Sequence, residues 1–400
     1  MDASLGDVFR YKTGKTLILA ILLILIFIYN PISVSAKVTG QCANCHTMHN
    51  SQDGGALFRD GTGIGWDSGQ LQGGSLSTTP AQKLLVTSCV GCHSNAEDDS
   101  TIVAVGGSNI PIVYNTGGYP SGSGASNTPL AGGNFWYVAQ TDDSNCAPED
   151  CDAYGHNVFG ISGQDQDLLT APGTVDACGV GECHATLSTS DNSRHKPGCQ
   201  ACHQRLFHHV DSNETSSNTS YRFLWGHAVD GGLNPVAWVE GVEDDDWEQE
   251  TVSDHNYYKG TTATYSSGGA GLSNNHTMSA FCSGCHAHFH GPWQVINSND
   301  GMGSGSPWLR HPTDIALPET GEYSAYDPVS SYSTEAPVAW VDPVNPTDRA
   351  QAIVMCLSCH RPHGSDQPDM LRWDYDNMVA GGGTNTTGCF TCHTTKDDGS

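Results

Sequence analysis

The chain is 400 residues long and acidic, with 16 Lys and Arg against 43 Asp and Glu, a net charge of −27. That balance excludes nucleic acid and anionic lipid as partners, since both would repel it. Only 37% of residues are hydrophobic and 47 are Gly, so the protein-only core is poor and something else has to supply buried apolar volume.

In chain order, residues 1–36 read as a cleavable export signal. Arg10, Lys12 and Lys15 form a positive n-region, and residues 16–29 are a 14-residue apolar run. Val34-Ser35-Ala36 offers the small residues a signal peptidase needs. The run is short for a bilayer span, with a tilted anchor helix as the competing reading. Either way, residues 37–400 leave the cytoplasm as a single domain, and no later segment is apolar enough to cross a membrane. Without the three basic and two acidic residues of 1–36, this part keeps 13 Lys and Arg against 41 Asp and Glu, or −28.

Fourteen of the 16 cysteines fall into seven pairs, each followed directly by His. Six are C-x-x-C-H: Cys42/Cys45/His46, Cys89/Cys92/His93, Cys199/Cys202/His203, Cys282/Cys285/His286, Cys356/Cys359/His360 and Cys389/Cys392/His393. The seventh is a wider C-x4-C-H, Cys178/Cys183/His184. C-x-x-C-H is the attachment signature of c-type haem. The two thiols add to the haem vinyl groups, the spacer curls into a helical turn, and the adjacent His sits under the iron. Structural zinc needs four ligands from two knuckles and no fixed Cys-His dipeptide. A disulfide framework suits an exported chain but does not explain the recurring His. The leftover Cys146 and Cys151 have Asp152 in place of His, and a local disulfide is expected there, stapling the loop that leads into His156.

Between the motifs, stretches such as GGYPSGSGASNTPLAGG and SNETSSNTSY are turn and loop compositions. The expected fold is mostly coil with short helices and small hairpins, stapled around covalent haems. A helical turn is predicted at each C-x-x-C-H and over residues 347–356, and hairpins at residues 136–138 and 235–238. The charge run at residues 243–250 (EDDDWEQE) reads as a solvated acidic loop, with a calcium site as the sharper alternative.

Of 19 His, seven follow the Cys pairs and twelve remain, enough to supply every iron with a sixth ligand. His49 and His363 stand three residues beyond such a His, and His290 four beyond. The helical turn aims these residues away from their own iron and toward a neighbouring one. His156, His227 and His311 share a loop pattern of a small or basic residue, His, any residue and a β-branched one. His208 and His209 form one candidate site, represented here by His209. His195, His255, His276 and His288 are weaker candidates. Met, the rival ligand, is scarce and hugs the motifs.

The segments CANCHTMHNSQDGG, KLLVTSCVGCH, GHNVFG, MSAFCSGCHAHFH, CLSCHRPHGSDQPDM and CFTCHTTKDD occur in an order that resembles the hexahaem outer-surface cytochrome S family of metal-reducing bacteria. CLSCHRPHGS also resembles the wider doubled-CXXCH family. The resemblance implies bis-His haems, little regular secondary structure, and subunits stacked into a filament with one continuous haem chain. It implies that His49 ligates a haem of the next subunit; ligation of the haem at Cys89 and Cys92 in its own chain is the alternative. This chain adds an attachment site at Cys178/Cys183/His184, so seven haems are expected. The expected function is electron carriage at the cell surface or outside the cell, after passage through the periplasm. Expected partners are further copies of the chain, other multihaem cytochromes and acceptors such as metal oxides. A monomeric shuttle ranks second. A reductase ranks last, because every motif ends in His and spare His is plentiful.

Overall fold

A computed structural model of the chain describes residues 38, 40–56, 65–67, 69–72, 76–82, 84–96, 100–118, 130–139, 146, 150–173, 187–188, 198–209, 215–216, 219–227, 233–244, 247, 253–262, 272–286, 289, 311–383 and 385–397. The chain divides into units Met1–Lys37 and Val38–Ser400. The first unit, with the expected export signal, lies outside the described residues, as do Cys178, Cys183, His184, His195, His288 and His290. Among the described residues no helix is long and apolar enough to cross a membrane.

Each described C-x-x-C-H makes one tight turn. The turns are the 3-10 helices Cys42–Asn44, Gly198–Ala201 and Cys356–Ser358, the α-helices Cys89–His93 and Cys389–Cys392, and the end of helix Met278–Cys282. The His amide donates back to the first Cys carbonyl at His46 (2.8 Å), His203 (2.9 Å), His286 (3.0 Å), His360 (3.1 Å) and His393 (3.0 Å). That bond closes each motif into a single turn, the local shape that haem attachment uses.

The strands are short. A five-stranded mixed sheet runs in the order Gly241–Val242, Tyr257–Lys259, Ala339–Trp340, Ala352–Val354, Ile315–Ala316. A four-stranded one runs Gln70–Leu71, Trp66–Asp67, Ser94–Asn95, Tyr114–Asn115. Ile102–Val105 and Ser108–Pro111 form a hairpin, and Trp225–His227 pairs antiparallel with Leu233–Trp238. The last pair is the hairpin predicted around residues 235–238.

Two sequence expectations give way to tertiary context. Residues 347–356 are not one helix: a 3-10 turn at Arg349–Gln351 leads into strand Ala352–Val354, buried throughout and paired on both sides. β-branched Ile353 and Val354 fit a sheet covered on both faces better than a helix. Residues 136–138 lie in a turn and not a hairpin. Asn134 Oδ1 accepts the Trp136 amide at 3.0 Å, and Ala139 N donates to Phe135 O at 3.0 Å. The Asn side chain offers the backbone a local partner that a strand would forfeit.

The apolar core is broken into small clusters, and the Cys pairs sit at their margins. Cys202 and Cys282 pack on the cluster of Tyr221, Leu224, Tyr258 and Ile353; Cys392 on that of Tyr326, Tyr332 and Trp340; Cys199 on that of Phe135, Val138 and Val158. The expected disulfide joins Cys146 to Cys151, with Cα atoms 5.4 Å apart. The 3-10 turn Cys151–Tyr154 then delivers the chain to His156.

Candidate haem-binding sites

The described Cys pairs follow one another in space in their order along the chain. Cys92 lies in electrostatic reach of Cys45. Cys199 is in side-chain contact with Cys89, and Cys282 with Cys356. Cys202 stands near Cys282 and Cys285, and Cys359 near Cys389 and Cys392. Burial pushes the thiols of Cys92, Cys285, Cys359 and Cys392 up to about 12. Among the described residues no three of His, Cys, Asp and Glu converge on a point that would hold a bare metal ion.

Imidazoles face one another along this line. Ring centres are 5.9 Å apart for His46 and His209, 6.3 Å for His93 and His208, and 6.2 Å each for His203 and His363, His286 and His156, and His393 and His311. A metal–imidazole bond of about 2.0 Å, plus roughly 1.1 Å from nitrogen to ring centre, sets two axial rings roughly 6.2 Å apart. In every pair one ring follows a Cys pair and the other comes from elsewhere. The donor set therefore fits a haem iron held between two imidazoles.

The rings are also oriented for that task. Nδ1 is engaged by a backbone carbonyl at His93 (Pro111, 2.8 Å), His203 (Arg222, 2.7 Å), His286 (Pro172, 2.8 Å) and His360 (Asp369, 2.8 Å). The same holds at His156 (Pro362, 2.7 Å) and His311 (Pro312, 2.9 Å). A carbonyl accepts only from N–H, so Nδ1 is the protonated nitrogen and Nε2 keeps the lone pair that could ligate iron. Burial lowers the pKa of His93, His156, His203, His311 and His360, that of His208 to about 4 and that of His363 to about 3. Neutral rings are what iron ligation needs.

Two of the carbonyls are presented by the same device. In Tyr221–Phe223 and in Pro368–Met370, two successive residues take positive φ: Arg222 (47°) and Phe223 (62°), Asp369 (58°) and Met370 (59°). The following Leu224 and Leu371 bridge the backbones of His203 and His360. Left-handed φ in such residues is costly, and it turns each carbonyl toward the ring. The two segments, YRFL and PDML, share only their Leu, so the likeness lies in the backbone and carried no sequence signal. Glu243, expected in a solvated acidic loop, instead holds the first device. Its carboxylate accepts from Arg222 N (2.7 Å) and pairs with Arg222 Nη1 (3.0 Å), with side chains only 9% and 17% exposed. A Glu243→Ala variant leaves a buried guanidinium without its carboxylate and is expected to cost about 3 kcal/mol. The check is the apparent midpoint of thermal unfolding of the haem-loaded protein.

His363 is held by a close backbone approach. Its amide donates to Gly132 O at 2.8 Å, and Gly133 (φ 82°) lies so near Gly364 that a Cβ there would sit 2.0 Å from the Gly364 carbonyl oxygen. His208 and His209, read from sequence as one site, occupy two, opposite His93 and His46. His208 thus joins the set that sequence reading had left to His209. The backbone of His227 is in strand Trp225–His227, and its side chain lies outside the described residues. His255 stacks flat on Tyr332 at 3.6 Å and His276 on Trp238 at 3.9 Å, so both rings pack on aromatics.

Two rings stand apart. Among the described residues no imidazole faces His360. His49 is exposed, with φ of 57° and Nδ1 engaged by Ala81 O at 3.1 Å. The ring of His93, which the alternative reading of His49 would require, faces His208.

Residues 350–398 match the doubled CXXCH motif. Over 383 residues the chain is 24% identical to the C-type cytochrome OmcS of Geobacter sulfurreducens, covering 84% of this chain and 78% of that protein. The chain resembles the OmcS-like multihaem c-type cytochromes. Among solved structures it is similar to the Outer Membrane Cytochrome S filament of Geobacter sulfurreducens, at 20% identity, 91% and 93% coverage and a TM-score of 0.45. It is also similar to the OmcS nanowires of that organism seen by cryo-EM, at 20% identity, 84% coverage of each chain and a TM-score of 0.41. The OmcS-like reading agrees with the mostly coil fold, the short helical turns at the motifs and the small sheets.

Proposed function

We propose that this chain carries electrons outside the cell through covalent c-type haems, as the repeating subunit of a head-to-tail filament. The observation that carries this reading is the row of facing imidazoles at iron-bridging distance, set beside Cys pairs that approach one another in chain order. When bound, each haem supplies a one-electron couple; the protein supplies spacing, ligands and surroundings. The ligand pairs are His46 with His209, His93 with His208, His203 with His363, His286 with His156, and His393 with His311. His360 takes His49 of a second copy as its partner. A head-to-tail contact whose rotation does not close into a ring yields an open helical polymer. Export by the signal over residues 1–36 belongs to the same reading.

A seventh haem, on Cys178, Cys183 and His184, belongs to the same reading. Intact mass of the secreted holoprotein tests the count. Seven covalent haems are expected, and a mass with six would withdraw the C-x4-C-H site.

A further inference from the structure

Among the rings that follow the described Cys pairs, His393 has its Nδ1 against a side-chain carboxylate. Where His93, His203, His286 and His360 meet backbone carbonyls, His393 meets a carboxylate: Glu322 Oε1 stands 2.6 Å from its Nδ1. The arrangement is built. Thr394 donates its amide (2.7 Å) and its hydroxyl (2.5 Å) to Glu322 O, and Lys396 Nζ holds Oε2 at 2.7 Å. Tyr323 lies 5.0 Å from the His393 ring. Glu322 itself is carried by the 3-10 turn Gly321–Tyr323, far in sequence from the motif it serves.

A carboxylate pulls on the Nδ1 proton harder than a neutral carbonyl does, so the ring becomes a more basic ligand. A more basic ligand and a nearby negative charge both stabilise the oxidised, more positive iron. We infer that Glu322 is a positioning residue that makes the site at Cys389, Cys392 and His393 the low-potential end of the line. The inference rests on the haem reading above. In each transfer one electron passes between this site and its neighbour at Cys356 and Cys359, and the ring keeps its proton. The neighbour, whose His360 leans on the carbonyl of Asp369, is then the more easily reduced of the two. The line has a direction built into one end.

The test is a spectroscopic redox titration of the haem-loaded protein and its Glu322→Gln variant. The variant keeps a side chain that reaches Nδ1 and loses the charge. One haem is expected to shift upward so that its oxidised-to-reduced ratio at fixed potential falls about tenfold, which is 59 mV for one electron. Its low-spin electron paramagnetic resonance signal should move toward that of the carbonyl-bonded rings. Glu335→Gln is the control. Glu335 also lies beside this motif, accepting the Gly388 amide at 3.0 Å, but it does not touch the ring. It should shift the potential less and leave the resonance signal in place. Superimposable titrations of Glu322→Gln and the parent, with haem load unchanged by mass, would overturn the inference. A variant or parent lacking haem at Cys389 and Cys392 would instead overturn the haem reading on which it rests.

Discussion

A His49→Ala variant is expected to keep every haem, remain monomeric and show one high-spin iron. The thioether bonds do not involve His49, so attachment is untouched. What is lost is the ligand proposed to reach His360 of the next subunit. The His49 ring is exposed and already turned, with Nδ1 held by Ala81 O, while His360 is turned by Asp369 O and faces no described imidazole. Losing about 4 kcal/mol per contact raises the concentration needed for assembly roughly a thousandfold. Electron microscopy and sedimentation read the assembly; absorption and paramagnetic resonance read the spin state. Added imidazole should return the open iron to low spin without restoring filaments, since a free ring fills the site but links nothing. Filaments that form normally from His49→Ala would end the bridging proposal and favour a monomeric shuttle.

The second large effect is expected at the third site. His363 faces His203 at 6.2 Å and packs against Phe135 at 4.7 Å. His363→Ala should leave the iron above His203 with one axial ring, so that one haem becomes high-spin and its midpoint rises by on the order of 100 mV. Because this site stands mid-line, conduction along an assembled filament should fall even though assembly survives. His363→Met, which restores a weaker ligand, should recover low spin at a raised potential. His255→Phe is the matched control. His255 is buried and stacked on Tyr332, and its replacement should leave every spin state unchanged. A high-spin haem in the His255 variant, with none in His363→Ala, would overturn the pairing of rings.

The chemistry of this protein was legible because it is written in contiguous residues. A Cys pair and its His lie within one helical turn, and a turn needs no distant partner to form. All six described C-x-x-C-H motifs fold as such turns. The coil-rich fold followed from the Gly, Ser and Asn between them, and the Cys146–Cys151 disulfide from a spacer without a His. The distal rings were less legible. His156, His311 and His363 could be named by local pattern, but which Cys pair each would face could not, since the partners are 130, 82 and 160 positions away.

Residue type and short spacing therefore pointed to covalent haem, to the Cys pairs proposed to hold it and to a surplus of His as candidate axial ligands. Only the tertiary structure decided the order of the sites, the separation of His208 from His209, the burial of Glu243 against Arg222, and the carboxylate beside His393. Those features come from segments with no helix or long strand to register them, brought together by packing around the Cys pairs. Periodicity carries no information about such contacts, because each is made by a single residue on a turn whose direction is set by its neighbours in space.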